Sequence, residues 1–546
     1  MITNVLLLIA LLLWLRRFIF QTTYFIHILQ LEGYRNGRFI SWLIKNPKKI
    51  FDEECLISSV VILFIGLFLE SFGIELVFFL ILWIFVGIWL FRRCKRLPYK
   101  KPLVWTGRIK RLFGLSIILP CFLLGFIFYS SPLMLLFFFI SQIIIQTASI
   151  FLVLANTFLY PLESAINYYF FLCARKKIRR IGPKVIGIAG SYGKTSTKFI
   201  IFDILSKKYK TITTPESYNT LMGICKVINN ELKKEHEIFV VEMGAYKRGD
   251  IKELCNLVRP QIGVLTSIGP EHFERFGSME KIISTEFELI EALPKDGIAF
   301  VNTDDEILLG LMDRIKIEKH SYSIKDCEEI DIDKDGIKFK IKGEIYNTKL
   351  LGLNNLKNIL AGITVGLELG VDIEKIKDAV SSLDFIPHRL QLIKNPNNVF
   401  VLDDSYNSNP VGADCALNVL SLFSKRRKII VTPGMIELGK KEYEENKEFG
   451  KKIGKTCDIV FLVGRKRTKP IFDGLKSVDF PQNKIFITNS LNEARIRLER
   501  IVRSNDIILF ENDLPDNYDE DFLSILQTNY WVHIWFPSRW DKNISL

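Results

Sequence analysis

Val185-Ile186-Gly187-Ile188-Ala189-Gly190-Ser191-Tyr192-Gly193-Lys194-Thr195-Ser196-Thr197 is the stretch whose reading decides the fold of this chain. Five β-favouring residues run into a glycine-rich turn, and a helical stretch over 195–207 follows. Strand, glycine turn, lysine, hydroxyl and helix in that order let backbone N–H groups approach phosphate oxygens at a helix N-terminus. Gly190, Ser191, Gly193, Lys194, Thr195 and Ser196 are therefore candidate binders of the phosphates of ATP, with Lys194 on the β- and γ-phosphates and Thr195 on Mg²⁺. The spacing departs from GxxxxGK[ST], because Ile188 stands five before Gly193 and the glycines fall at 187, 190 and 193.

Outward from this loop, short β-rich runs alternate with helical stretches. Strands are predicted at 185–189, 238–242, 262–266 and 298–302, then at 399–403, 428–432, 459–463 and 507–511. Strands separated by helices imply parallel α/β sheets. A helical segment within 352–390 divides them into two domains, a central P-loop domain over 173–380 and a Rossmann-like C-terminal domain over 381–546.

The remaining third reads differently. Hydrophobic residues make up 49% of the 546, with 42 Phe, while 24% are charged, and a divided chain reconciles these figures. Residues 1–172 are read as an α-helical transmembrane region of about five spans, at 1–14, 55–70, 73–92, 112–130 and 132–158. The first lacks a basic leader and a small-residue cleavage site and reads as an uncleaved anchor closed by Arg16-Arg17. The stretch 29–42 suits an interfacial helix. Arg35, Arg38, Lys45, Lys48 and Lys49, then a basic run over 92–111, then Arg175, Lys176, Lys177, Arg179 and Arg180 occupy alternate connections. The positive-inside rule then puts the N-terminus outside and the α/β domains in the cytoplasm of a multi-pass cytoplasmic-membrane protein. Glu70 and Glu75 fall at a predicted turn and read as solvated, and no Lys, Arg or paired acid is expected inside the spans. The net charge of +13 is concentrated at membrane edges, which favours a lipid bilayer over nucleic acid as the partner. Nine cysteines without a CxxC pair read as reduced thiols.

The GxxGxxGKT[ST] form resembles the Mur ligase family, which adds amino acids to the peptidoglycan stem peptide, and further matches follow in family order. Val240-Val241-Glu242-Met243-Gly244-Ala245 resembles the segment with a metal-binding glutamate, here Glu242. Thr266-Ser267-Ile268-Gly269-Pro270-Glu271-His272-Phe273 resembles the segment whose histidine holds a second metal, here His272. Asn354-Asn355-Leu356-Lys357-Asn358 looks like the family helix start that places an asparagine, Asn358, near adenine; Asn354 stands where a histidine is usual. Arg389 matches the family arginine that reaches the phosphates. Leu402-Asp403-Asp404-Ser405-Tyr406-Asn407-Ser408-Asn409-Pro410 resembles the DDAYNANP segment of the MurF-type branch, which adds a D-alanyl-D-alanine dipeptide, so Asp404 and Asn407 would meet the nucleotide. Thr432-Pro433-Gly434-Met435-Ile436-Glu437-Leu438-Gly439 resembles the next strand and loop of that branch.

The resemblance implies an ATP-dependent carboxylate–amine ligase acting through an acyl phosphate, with Lys194, Glu242, His272 and Arg389 catalytic and Thr195, Glu242, His272 and Glu286 on Mg²⁺. Three departures stand out. Glu286 occupies the position of the family's carbamylated lysine, and a carboxylate offers a hard Mg²⁺ ion a similar oxygen ligand. Membrane spans replace the small domain that holds the UDP-sugar, so the carboxylate-bearing envelope precursor is either UDP-linked or lipid-linked. Phe510-Glu511-Asn512-Asp513-Leu514-Pro515-Asp516 replaces a KGSR-like segment, as an ammonium-attracting cluster or a solvated turn, and leaves the amine open between an amino acid and a dipeptide. The competing readings are a membrane ATPase and an ATP-binding scaffold without ligase activity.

Overall fold

The structure, a computed structural model, describes residues 2–50, 57, 60–61, 64–65, 76–93, 103–130, 134–395 and 397–514. The chain divides into two compact units between Ile166 and Asn167, within the single helix Ala148–Ile181.

In the N-terminal unit, three described helices are long and apolar enough to cross a membrane: Ile2–Leu31, the stretch Gly107–Ile127 and Ala148–Ile181. Their arrangement corrects the expected spans. The first helix does not stop at Arg16-Arg17; with neither Gly nor Pro to break it, it runs 30 residues to Leu31 and buries Arg17 to 7% exposure. A turn with left-handed Gly33 and Tyr34 then separates it from the helix Asn36–Lys45, so the stretch 29–42 is not one helix. The expected last span is also broken, into Met134–Gln146 and Ala148–Ile181, with Thr147 between them. The expected span at 55–70, Glu70 and Glu75 lie outside or almost wholly outside the described residues.

An ionic pair stands just outside the expected spans 112–130 and 132–158. Arg111 forks onto Glu163 through Nε and an NH2 group at 2.7 and 3.0 Å, and Arg108 lies 3.9 Å over the Tyr34 ring while donating to Asn156. Both arginines sit in the first turns of Gly107–Ser130, and Glu163 lies two residues beyond Pro161 in its own helix. Composition averaged over a window does not reveal such a pair.

The second unit contains two six-stranded sheets. β1 (Lys184–Ala189), β2 (Thr211–Thr213), β3 (Ile238–Glu242), β4 (Ile262–Leu265), β5 (Ile298–Asn302) and β6 (Glu318–Tyr322) form an all-parallel sheet in the order β2-β3-β1-β4-β5-β6. Its central strands are apolar on both faces because helices cover both, and separate hydrophobic cores lie on its two sides. A three-stranded antiparallel sheet, β7 (Glu329–Ile332), β8 (Ile337–Ile341) and β9 (Glu344–Thr348), follows.

β10 (Gln391–Lys394), β11 (Phe400–Asp404), β12 (Arg427–Thr432), β13 (Ile459–Val463), β14 (Ile485–Thr488) and β15 (Asp506–Glu511) build the other large sheet, in the order β10-β11-β15-β12-β13-β14. Only β10 runs antiparallel to its neighbour. In both sheets the candidate functional loops leave the carboxyl ends of the strands, where open α/β sheets bind ligands.

Candidate functional site

The loop after β1 is held by its neighbours rather than by its own hydrogen bonds. Gly190 N–H donates to Glu286 Oε2 at 2.6 Å, Ser191 N–H to Ser267 O at 2.7 Å and Ser191 Oγ to Gly269 O at 2.9 Å. Thr266 Oγ1 donates to Tyr192 O at 2.6 Å. At Gly190, with φ of 135°, a Cβ would stand 2.2 Å from Thr266 Oγ1, so no side chain fits. Gly193 takes φ of 81° immediately before the helix Lys194–Ser206, and a Cβ there would meet Asn358 Oδ1 at 2.7 Å. Two glycines thus bring bare backbone to a helix N-terminus, the cradle a phosphate chain requires.

Lys194 folds over this loop. Its Nζ donates to the Gly190 carbonyl, to Ser191 O at 2.9 Å and to Glu271 Oε2 at 2.9 Å. Burial works against its charge, but the carboxylates of Glu271, Glu286 and Glu242 outweigh burial and raise its pKa. Thr195 and Ser196 occupy the helix's first turn, with Ser196 buried.

Glu242 ends β3 at 1% exposure. Its Oε1 accepts from Asn219 Nδ2 at 2.9 Å, whereas Oε2 accepts no hydrogen bond. The nearest cation to Oε2, Lys198 Nζ at 3.4 Å, donates to the Glu216 carbonyl, so the ion-pair contact leaves the oxygen available to a further cation. Glu286 reaches the loop from within the helix Met279–Glu291; burial pushes its pKa up to about 7 against the pull of Lys194 and the Gly190 amide.

His272 is positioned differently. It sits in left-handed backbone at φ of 51°, and its Nδ1 bonds to Glu437 of the second sheet's domain, which also takes Arg275. Burial opposes the charge on Glu437, but His272 and Arg275 together pull its pKa down to about 2. The metal-ligand candidates Thr195, Glu242, His272 and Glu286 do not converge on one point. Among the described residues, the one group of three His, Cys, Asp or Glu ligands close enough to share an ion is Glu318, His320 and Glu368, at β6 and the end of the helix Leu353–Glu368.

That helix joins the two lobes. Gly352 at its start abuts Cys415 of the second domain, and one turn inward Asn358 accepts from Thr197 Oγ1 at 3.1 Å beneath the phosphate loop. On the second lobe, the Arg389 guanidinium lies 4.3 Å over the Tyr406 ring, and the Tyr406 hydroxyl bonds Ser217 of the first. Asp404 accepts from Leu390 N–H at 3.0 Å, and burial lifts its pKa to about 7 although Arg389 opposes the shift. Asn407 lies half-buried in the loop between β11 and the helix Pro410–Ser421. Among the described residues no hydrogen bond or ion pair ties Arg389, Asp404 or Asn407 to the glycine loop.

The 510–514 part of the segment replacing the KGSR-like run is not a solvated turn. Glu511 is 0% exposed beside Asp404 in register and accepts from Ser408 Oγ at 2.6 Å, while Asn512 Nδ2 donates to Gly434 O at 2.6 Å. Glu271 and Glu437 lie inside sequence motifs that give neither of them a role. A carboxylate in a short, otherwise apolar run, as in Met435-Ile436-Glu437-Leu438, was the available signal.

Comparison with known proteins agrees with this geometry. The Mur ligase middle domain matches residues 188–366, and the Mur ligase glutamate ligase domain matches 388–511. The UDP-N-acetylmuramoyl-tripeptide–D-alanyl-D-alanine ligase of Bacillus subtilis is 31% identical over 302 residues, 54% of this chain and 65% of that protein. The enzyme of the same name from Escherichia coli is 28% identical over 272 residues, 48% of this chain and 60% of that one. The chain thus spans under two thirds of the length of these relatives. Thermotoga maritima MurF, solved in complex with ADP, superposes with a TM-score of 0.56 at 26% identity over 64% of this chain and 80% of that one. Acinetobacter baumannii MurF shares the fold, with a TM-score of 0.57 at 23% identity over 63% and 77%. Through its middle and C-terminal domains, the chain belongs to the Mur ligase family.

Proposed function

We propose that the chain is an ATP-dependent ligase of the MurF kind, joining a carboxylate-bearing envelope precursor to an amino acid or dipeptide in peptidoglycan synthesis at the cytoplasmic face of a membrane. The observation that carries this reading is the pairing at the end of β1 of a bare-backbone phosphate cradle with Lys194 and three surrounding carboxylates, Glu271, Glu286 and Glu242. A second lobe meets the same edge through Glu437.

The chemistry would run in two steps. A substrate carboxylate oxygen attacks the γ-phosphorus of ATP, the bond to the β-phosphate oxygen breaks, and ADP leaves an acyl phosphate behind. The amine nitrogen then attacks the acyl carbon, phosphate departs with the bonding electrons, and the amine proton passes to solvent. Such transfer needs positioning and charge neutralisation more than covalent help from the protein. Lys194 and the loop amides neutralise the phosphates, and Arg389 brings a second cation from the other lobe. Two Mg²⁺ ions would be shared among Thr195, Glu242, His272 and Glu286, with His272 on the second, and would add positive charge at the phosphates; the unbonded Oε2 of Glu242 fits a ligand of one of them. Asn358 would meet the adenine, and Asp404 and Asn407 would close on the nucleotide and exclude water.

The relatives are named for a UDP-N-acetylmuramoyl tripeptide and D-alanyl-D-alanine. Here the match begins at residue 188, after apolar helices, so a lipid-linked donor stands beside a UDP-linked one. These helices would make the chain a multi-pass membrane protein. A membrane ATPase or scaffold leaves the matching C-terminal ligase domain without a role.

The test is ADP release by the purified full-length protein, using UDP-N-acetylmuramoyl tripeptide and D-alanyl-D-alanine first and then a panel of other carboxylates and amines. ADP release should require both partners and fall by about 10³-fold in Lys194→Ala. Release indifferent to every carboxylate and amine would overturn the reading.

A further inference from the structure

At the opposite end of the second sheet, Lys425, Arg426, Arg427 and Lys428 lead into β12, and Lys484 stands just before β14. With Asp458 they line an open concavity of about 500 Å³. The two arginines are committed to the fold. Arg427 forks onto Asp506 at 2.9 and 2.7 Å, and Arg426 donates to Asn398 and lies 3.4 Å over the Phe400 ring. Asp458 accepts the backbone N–H of Lys428 at 2.7 Å. The ammonium groups of Lys425, Lys428 and Lys484, in contrast to Arg427, form no ion pair among the described residues.

Three lysines therefore face one concave space that holds a single carboxylate. The arrangement is costly without an anion, since like charges around one space repel, and it favours a ligand carrying more than one negative charge. A phosphoryl group supplies both the charge and three acceptor oxygens, and lysine binds it as a point charge from any direction. The nucleotide is not its occupant. The six residues of β12 separate this edge from the Thr432 end, where the Glu437 loop begins, by about 20 Å.

We propose that this concavity is a second phosphate-recognition site, in which Lys425, Lys428 and Lys484 bind a phosphoryl group carried either by a free phosphorylated compound or by an anionic lipid headgroup. The site is independent of the ligase reading, because none of its residues takes part in that chemistry.

The experiment measures acylation rates of individual lysines by mass spectrometry on the full chain in phosphatidylcholine nanodiscs. One arm adds inorganic pyrophosphate; the other replaces part of the lipid with phosphatidylglycerol. Labelling of Lys425, Lys428 and Lys484 should slow by about tenfold at a ligand concentration ten times Kd. Exposed Lys233, on the other domain, should label as before. Slowing by pyrophosphate identifies a free ligand, and slowing by phosphatidylglycerol alone identifies a headgroup. In the Lys425→Gln/Lys484→Gln double variant the protection of Lys428 should disappear. Unchanged labelling in both arms, equal slowing at Lys233, or protection of Lys428 that survives the double substitution would overturn the proposal.

Discussion

Glu286 sends one carboxylate oxygen to the Gly190 amide, so the acid that stands in place of the family lysine is built into the phosphate loop. A lysine at this position would need CO₂ to become an oxygen ligand, whereas glutamate carries its oxygens already. Activity in CO₂-depleted buffer should therefore equal activity in bicarbonate, and Glu286→Ala should lower ADP release by about 10²-fold or more in both. A loss on depletion that bicarbonate restores would mean that a carbamylated lysine elsewhere does this work. The position was singled out only through the resemblance of the segment 284–290 to the family's lysine-bearing stretch. The partners of His272 were not legible, because Glu437 lies 165 residues away and only the folded chain brings it to the imidazole.

Between the residue and the domain stands one helix crossing. Leu353–Glu368 lies on Lys194–Ser206 through Gly362 and Gly366, where an added Cβ would come within 2.7 Å of Ile200 and Ile204 respectively. Two glycines one turn apart let the backbones approach, and that approach sets Asn358 beneath the loop. Gly362→Leu should force the helices apart at a cost of about 1–3 kcal/mol and raise KM for ATP more than it lowers kcat; thermal unfolding and steady-state kinetics check both. A second element-level prediction concerns the corner before β10. His388 Nδ1 meets Asp403 at 2.8 Å, and that hydrogen bond raises the His388 pKa while burial opposes it. Because the folded pKa lies above 6.5, the stabilisation is complete below pH 6.5 and is lost as pH rises through the folded value. The melting temperature of wild type should fall between pH 6 and pH 8 by more than that of His388→Gln, and equal falls would remove the pair from the account. Elements of this kind divide by how much their sequences say. β1, β3, β4, β5, β12, β13 and β15 were legible as runs apolar on both faces, whereas the edge strands β2, β6 and β14 were not, since Thr211-Ile212-Thr213 is too short and Glu318-Lys319-His320-Ser321-Tyr322 too polar to stand out. Hydropathy likewise placed the N-terminal helices but not their ends, because Arg16-Arg17 ends a window average without ending a helix.

At the scale of the whole molecule, the question is what holds the two α/β lobes to each other. Among the described residues, side chains that bridge them include Glu437 to His272 and Arg275, Tyr406 to Ser217, Lys394 to Asp335 at 3.8 Å and Lys441 over the Phe273 ring at 5.9 Å, and Glu274 N–H adds a bond to the Glu437 carbonyl at 3.2 Å. Glu437 is the busiest of them. It stands in left-handed backbone at φ of 63°, and its two oxygens serve two partners on the opposite lobe. Removing the carboxylate leaves an arginine and a histidine facing a gap, a loss of about 1.5–3 kcal/mol by the usual worth of charged hydrogen bonds. Since each lobe keeps its own core, that loss should fall on their association and not on their folding. Glu437→Ala should therefore leave the amide protection of β1 and β12 unchanged in hydrogen exchange while protection over 272–276 and 435–439 drops. Ligase turnover should fall with it, because the acyl phosphate would be left open to water. Glu437→Gln keeps the shape and one acceptor oxygen and should recover part of the protection. If exchange rises evenly through both sheets instead, Glu437 supports the fold of a lobe and the contact is not the hinge between them.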